Sequence, residues 1–159
     1  MYWTLLKQRF FFPFYRQLDD KDCGPTCIRM IARYYGRKFH PDYLVDISQL
    51  TAQGASLQNI DKAAQQLGFL TINGTTTSRQ LTDSIPLPCI LHWASTHFVV
   101  LYKINAKKGT YYLADPARGK RIVSKNTLEQ HWLHNNEDKG YLLLLSPSET
   151  FYTHPAGNT

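Results

Sequence analysis

The first half of the chain carries apolar residues at helical spacing. Between Gly24 and Tyr35, the residues Cys27, Ile28, Ile31, Tyr34 and Tyr35 fall near one side of a 3.6-residue period, and Gly36 is a natural stop. A second helical pattern starts near Pro41 and covers Tyr43, Leu44 and Ile47. A third follows Ser56 as N-cap and sets Leu57, Ile60, Ala64 and Leu67 on one face before Gly68. Phe69 to Ile72 reads as a short strand, and Thr77 or Ser78 as the start of a brief helix.

The pattern changes in the second half. Leu87 to Trp93, His97 to Ile104, Thr110 to Ala114, Lys120 to Val123 and Tyr141 to Leu145 are rich in branched and aromatic residues and read as strands. One helix, about Lys125 to Leu133, interrupts them. Helices first and a mostly antiparallel sheet afterwards predict an α+β domain in two layers. The polar stretch from Ser146 to Thr159 holds two prolines and reads as a linker or chain end. The expected division is an N-terminal extension over 1–11, a domain over 12–150 and a tail or linker over 151–159.

A length of 159 residues suits one domain with a full core. No apolar run approaches the roughly 18–20 residues of a membrane span. Met1 to Phe14 faintly resembles a signal peptide, but Lys7, Gln8 and Arg9 interrupt it and Pro13 ends the run of Phe10, Phe11 and Phe12. Three cysteines without framework spacing predict a reducing, cytoplasmic setting. The net charge of +6 concentrates at Arg118, Lys120, Arg121 and Lys125, with Lys107 and Lys108 nearby. That cluster reads as a solvated face, since no RNA- or DNA-binding motif accompanies it and no nucleic-acid partner is expected.

Candidate chemistry centres on Cys23, where an acidic turn gives way to a helix. The first turn of a helix offers unpaired N–H groups and the positive end of the dipole, and both stabilise an anion such as a thiolate. Pro25 suits the first turn, and Gly24 is expected to leave the sulfur open to a substrate backbone. The alternative is that Cys23 is a buried apolar filler, as Cys27 and Cys89 are expected to be. Four soft ligands, Cys23-x3-Cys27 and Cys89-x2-His92, could hold zinc, but structural pairs usually sit in tight CxxC loops instead of on one helix face, so no metal or cofactor is expected.

A cysteine nucleophile needs a base, and the base an orienting acceptor. Of six histidines, His92 and His97 flank the loop Ala94-Ser95-Thr96, while His40, His131, His134 and His154 lie in polar or helical surroundings. The polar run Asn105 to Gly109 must be a turn. Folding the chain about Ala106 sets His97 opposite Asp115, close enough for a carboxylate to hold an imidazole N–H. A register error of one would separate them onto opposite faces. An oxyanion donor is also needed, and Gln17 and Gln8 are equal candidates from the residues alone.

The stretch from Gln17 through Asp22-Cys23-Gly24-Pro25-Thr26-Cys27 to Met30-Ile31-Ala32-Arg33-Tyr34-Tyr35-Gly36 resembles the start of the bacteriocin-processing peptidases. These are papain-like cysteine peptidase domains at the N-terminus of peptidase-containing ABC transporters. Pro88 to Trp93, His97 to Leu101, Leu113 to Gly119 and Gly140 to Pro147 resemble the later motifs in the same order, so the likeness covers nearly the whole chain. It implies a papain-like fold, a triad of Cys23, His97 and Asp115, and Gln17 in the oxyanion hole. It further implies an endopeptidase that cuts after a Gly-Gly pair ending the leader of a precursor peptide. The implied partners are that precursor and the transmembrane and nucleotide-binding parts of an exporter. The implied location is the cytoplasm, at the inner face of the membrane if a transporter is attached. The rival is a docking domain that holds leaders without cutting them, and the presence of both Cys23 and His97 argues against it.

Overall fold

The computed structural model describes residues 11–134 and 137–159; the expected N-terminal extension lies outside them except for Phe11. Helix α1, Cys23–Tyr34, carries Pro25 in its first turn. Gly36, at φ +93°, closes it in a Schellman motif: Gly36 N–H donates to Arg33 and Arg37 N–H to Ala32, each at 3.0 Å. After the short strand β1, Lys38–Phe39, helix α2 spans Pro41–Ser48 with His40 as N-cap. Helix α3, Leu57–Gln66, starts where Ser56 accepts the Asn59 N–H.

The remaining strands are β2, Phe69–Thr77; β3, Cys89–Trp93; β4, His97–Asn105; β5, Thr110–Asp115; β6, Gly119–Ser124; and β7, Lys139–Pro147. They form one six-stranded antiparallel sheet in the order β2-β7-β3-β4-β5-β6. Helix α4, Lys125–Trp132, lies between β6 and β7. The fold is α+β, as the sequence predicts. Two expectations fail locally. The strand at Phe69 runs on to Thr77, because it pairs with β7 along its full length, and residues 78–80 form a turn instead of a helix.

The sheet is buried on both faces, so a two-layer description is too simple. Ile90, Phe98, Val100, Leu143 and Leu145 pack under α1, α2 and α3. Leu91, Val99, Leu101 and Leu142 alternate with them and pack with Leu81 and with Leu128 and Trp132 of α4. That alternation explains why the strand sequences read as continuous apolar runs instead of every second residue.

The end of the chain is not a loose tail. Helix α5, Glu149–Thr153, buries Phe151 completely in the helix-side core, and strand β8, Gly157–Asn158, pairs with β1. Arg37 fixes this return: its buried guanidinium donates to the carbonyls of Tyr152, His154 and Gly157. The linker expectation fails because one phenylalanine and one buried arginine outweigh the local prolines.

Gly68 makes the junction possible. Its φ is +101°, and a Cβ there would lie 2.2 Å from the backbone nitrogen of Phe151. Gly68→Ala is expected to cost about 3 kcal/mol, from left-handed backbone strain plus overpacking against backbone that cannot move away. Thermal or denaturant unfolding of the variant reads this directly; an unchanged midpoint contradicts it.

Candidate active site

Cys23 is the first residue of α1, and α1 packs across β4. His97 is the first residue of β4, and Asp115 the last of β5. The three therefore meet where a helix N-terminus crosses the ends of two neighbouring strands. His97 Nε2 lies 2.7 Å from Asp115 Oδ1. The Cys23 thiol lies beside the same ring and interacts with it electrostatically. Asp115 is 3% exposed, and its Oδ1 also accepts the Ala117 N–H at 2.9 Å.

Burial alone would pull the His97 proton off. The hydrogen bond to Asp115, the nearby Cys23 side chain and the charges of both outweigh it and carry the ring's pKa to about 9. For Asp115, burial pushes upward, but the bond from His97, the Ala117 N–H, the imidazolium charge and the Arg118 N–H together hold the carboxyl below its ordinary value. The two shifts describe one ion pair.

The direct opposition of His97 and Asp115 is not how the sheet achieves this. The β4–β5 ladder runs from Asn105 paired with Thr110 to Val100 paired with Ala114, with a bulge at Tyr102. Continued, it sets Asp115 opposite Val99, so His97 reaches it diagonally, two residues further on. A slip of two preserves the face. Without the extra residue at Tyr102, Asp115 would oppose Val100, and the two side chains would leave the sheet on opposite sides.

The other sequence candidates separate here. His92 stacks on Phe98 at 4.9 Å, 18° from parallel, and burial lowers its pKa against a raising bond to the Ser95 backbone. Cys27 and Cys89 are both fully buried, and burial raises their thiols, Cys89 to about 12 and Cys27 well above the ordinary value. Cys27 belongs to the core under the helices and Cys89 to the core on the opposite face of the sheet, so the four soft ligands are not brought together. Among the described residues no His, Cys, Asp or Glu cluster suits a metal ion.

Gln17 is tied to the site from both sides. Its N–H donates to the Pro116 carbonyl at 2.9 Å, and its side-chain amide donates to the Asp19 carbonyl at 2.8 Å. Its Oε1 is buried without a partner. Gly24 serves packing more than access. A Cβ there would come 2.3 Å from Ile60 Cδ1, so glycine lets α1 close against α3. Sequence reading passes over Asp22 as well, whose buried carboxylate accepts from the Leu18 and Asp19 N–H groups. Its only signal is its place immediately before the helix.

A thiol at a helix N-terminus, beside an imidazole that a buried carboxylate orients, can perform nucleophilic acyl transfer. The comparisons agree in class. Residues 12–150 match the peptidase C39 family, and the chain belongs to that family of cysteine peptidases. It is 36% identical over 122 residues to the colicin V secretion/processing ATP-binding protein CvaB of Escherichia coli, covering 76% of this chain and 17% of that protein. It is 35% identical over 122 residues to the lactococcin-G-processing and transport ATP-binding protein LagD of Lactococcus lactis subsp. lactis, covering 73% and 17%. The chain thus spans about a sixth of the length of these relatives. Among solved structures, the peptidase domain of Streptococcus ComA, a bi-functional ABC transporter involved in a quorum-sensing pathway, superposes with a TM-score of 0.78 at 24% identity. That match covers 87% of this chain and all of the other. A double-glycine-motif protease from an AMS/PCAT transporter, solved with its leader peptide, gives 0.77 at 24% identity over 86% and 91%. Among the described residues no helix is long and apolar enough to cross a membrane.

Proposed function

We propose that the chain is a cysteine endopeptidase that removes Gly-Gly leaders from precursor peptides, acting as the peptidase part of an exporter. The observation that carries this reading is His97, held by Asp115 at 2.7 Å with the Cys23 thiol beside the same ring. Asp115 occupies Nε2, which leaves Nδ1 for the sulfur. His97 draws the proton from Cys23, and the thiolate attacks the carbonyl of the second glycine. The Cys23 N–H and the Gln17 amide stabilise the oxyanion. The imidazolium then protonates the leaving amine, and water hydrolyses the thioester, returning the thiol. Asp115 keeps the ring in the productive tautomer throughout. The double-glycine preference is supported by the leader-bound relative, and the export setting by the transporters that carry similar segments.

The test is incubation with synthetic precursors whose leaders end in Gly-Gly, followed by mass spectrometry. Cleavage after the second glycine is expected. Alanine at that glycine is expected to slow cutting by about 10²-fold, the penalty of displacing the carbonyl by roughly 1 Å. Leaders that bind and stay whole, with Cys23 shown to be reduced, would leave only a docking role.

A further inference from the structure

An aspartate at a helix N-cap normally accepts an N–H from the second or third helical residue. Asp22 does not. Its side chain makes no cap bond to α1. It turns back along the chain instead, with Oδ2 accepting the Leu18 N–H at 3.0 Å and Oδ1 the Asp19 N–H at 3.1 Å. The residue is only 3% exposed.

This is a costly choice unless the carboxylate holds something. A buried carboxylate needs charge-assisted hydrogen bonds to be tolerated. Here it also adds a negative charge beside a proposed anionic nucleophile, both drawing on the positive end of one helix. Serine would cap α1 without that charge. What the carboxylate holds is the turn between Gln17 and Cys23, which has no regular secondary structure. Gln17 is pinned upstream by its N–H to Pro116, and its amide is aimed by the Asp19 carbonyl. Asp22 fixes the two peptide units that follow Gln17, including the one that starts Asp19. A cap bond from Asp22 would have to go to Gly24, since Pro25 has no N–H, and the side chain makes none.

We infer that Asp22 is a positioning residue for acyl transfer: it holds the turn between Gln17 and Cys23, and with it the Gln17 amide, in place. The inference deepens the proposed cleavage reaction and rests on it. Asp22→Asn keeps the shape but only one strong acceptor. Asp22→Ser is too short to reach Leu18 and Asp19 and removes both acceptors.

Both variants are compared with wild type in leader cleavage, in affinity for a leader peptide aldehyde ending in Gly-Gly, and in alkylation of Cys23 by iodoacetamide. The aldehyde forms a tetrahedral adduct with an oxyanion; alkylation forms none. We expect kcat to fall about 10–100-fold with KM within about 3-fold. Aldehyde affinity should fall by the same factor as kcat, with alkylation unchanged within about 2-fold. Combined with Gln17→Ala, the Asp22 variants should slow cleavage little beyond the slower single change, since both act through one turn. Wild-type kcat in both variants, or alkylation falling in step with kcat, overturns the inference; circular dichroism confirms equal folded fractions. A wild-type chain that binds the aldehyde in an Asp22-dependent way but cuts no leader would overturn the cleavage reading and leave Asp22 standing. One that does neither overturns both.

Discussion

Cys23→Ala is expected to lower leader cleavage by about 10⁴-fold or more while leader affinity stays within about 2-fold of wild type. Removing the nucleophile removes the covalent pathway entirely, and what survives is the weak rate that binding and the oxyanion donors alone support. The substitution itself is gentle. Cys23 is 6% exposed at the first position of α1, alanine is smaller, and the packing of Gly24 against Ile60 below it is untouched. Folding should therefore survive, and binding can be read by calorimetry on the variant without turnover. The companion measurement is labelling of the wild type by iodoacetamide: one adduct on Cys23 is expected, because burial holds the thiols of Cys27 and Cys89 in their neutral forms. A Cys23→Ala chain that cuts at the wild-type rate would place the nucleophile elsewhere.

The second large effect concerns the His97–Asp115 pair. His97 keeps its proton to about pH 9, because Asp115 and Cys23 together outweigh its burial. The imidazolium is the acid that protonates the leaving amine. The alkaline limb of kcat/KM should therefore fall near pH 9, well above the ordinary histidine range. The sign follows from the raised pKa: activity that needs the protonated ring is retained below it and lost as pH rises through it. Asp115→Asn removes the charge and the strongest acceptor on Nε2. The limb should then move to lower pH, and kcat should fall by about 10²–10⁴-fold with a trace remaining. A full pH–rate profile of both proteins checks position and height together. An alkaline limb that stays put in Asp115→Asn would mean that the carboxylate does not hold the His97 proton.

Much of this site was legible because its chemistry is written in short, local signals. Cys23 stands before Gly24 and Pro25 at a helix start, and that start depends only on neighbouring residues. His97 opens an apolar strand, and Asp115 with Pro116 closes the next. Gly36 and Gly68 end α1 and α3 through positive φ values that the sequence can announce. What escaped was non-local. The closing segment looked like a linker, because nothing near Phe151 tells that Gly68 and Arg37, over eighty residues upstream, hold it. The reason for Gly24 was misread for the same cause: Ile60, which needs the space, belongs to another helix. Nothing in the sequence signals that the Asp22 carboxylate turns back to Leu18 and Asp19.

The sequence by itself determined the order of the main helices and of the sheet strands, the helix that starts at Cys23, and the set of groups able to do acyl transfer, because periodicity, caps and glycines act over a few residues. Tertiary structure alone decided how the carboxylate reaches His97. That choice turns on one extra residue at Tyr102, which shifts the β4–β5 register by a step and keeps His97 and Asp115 on the same side of the sheet. A strand alternates its faces with every residue, so a single insertion can move a charge through the whole thickness of the sheet, and no count along the chain reveals where the insertion falls.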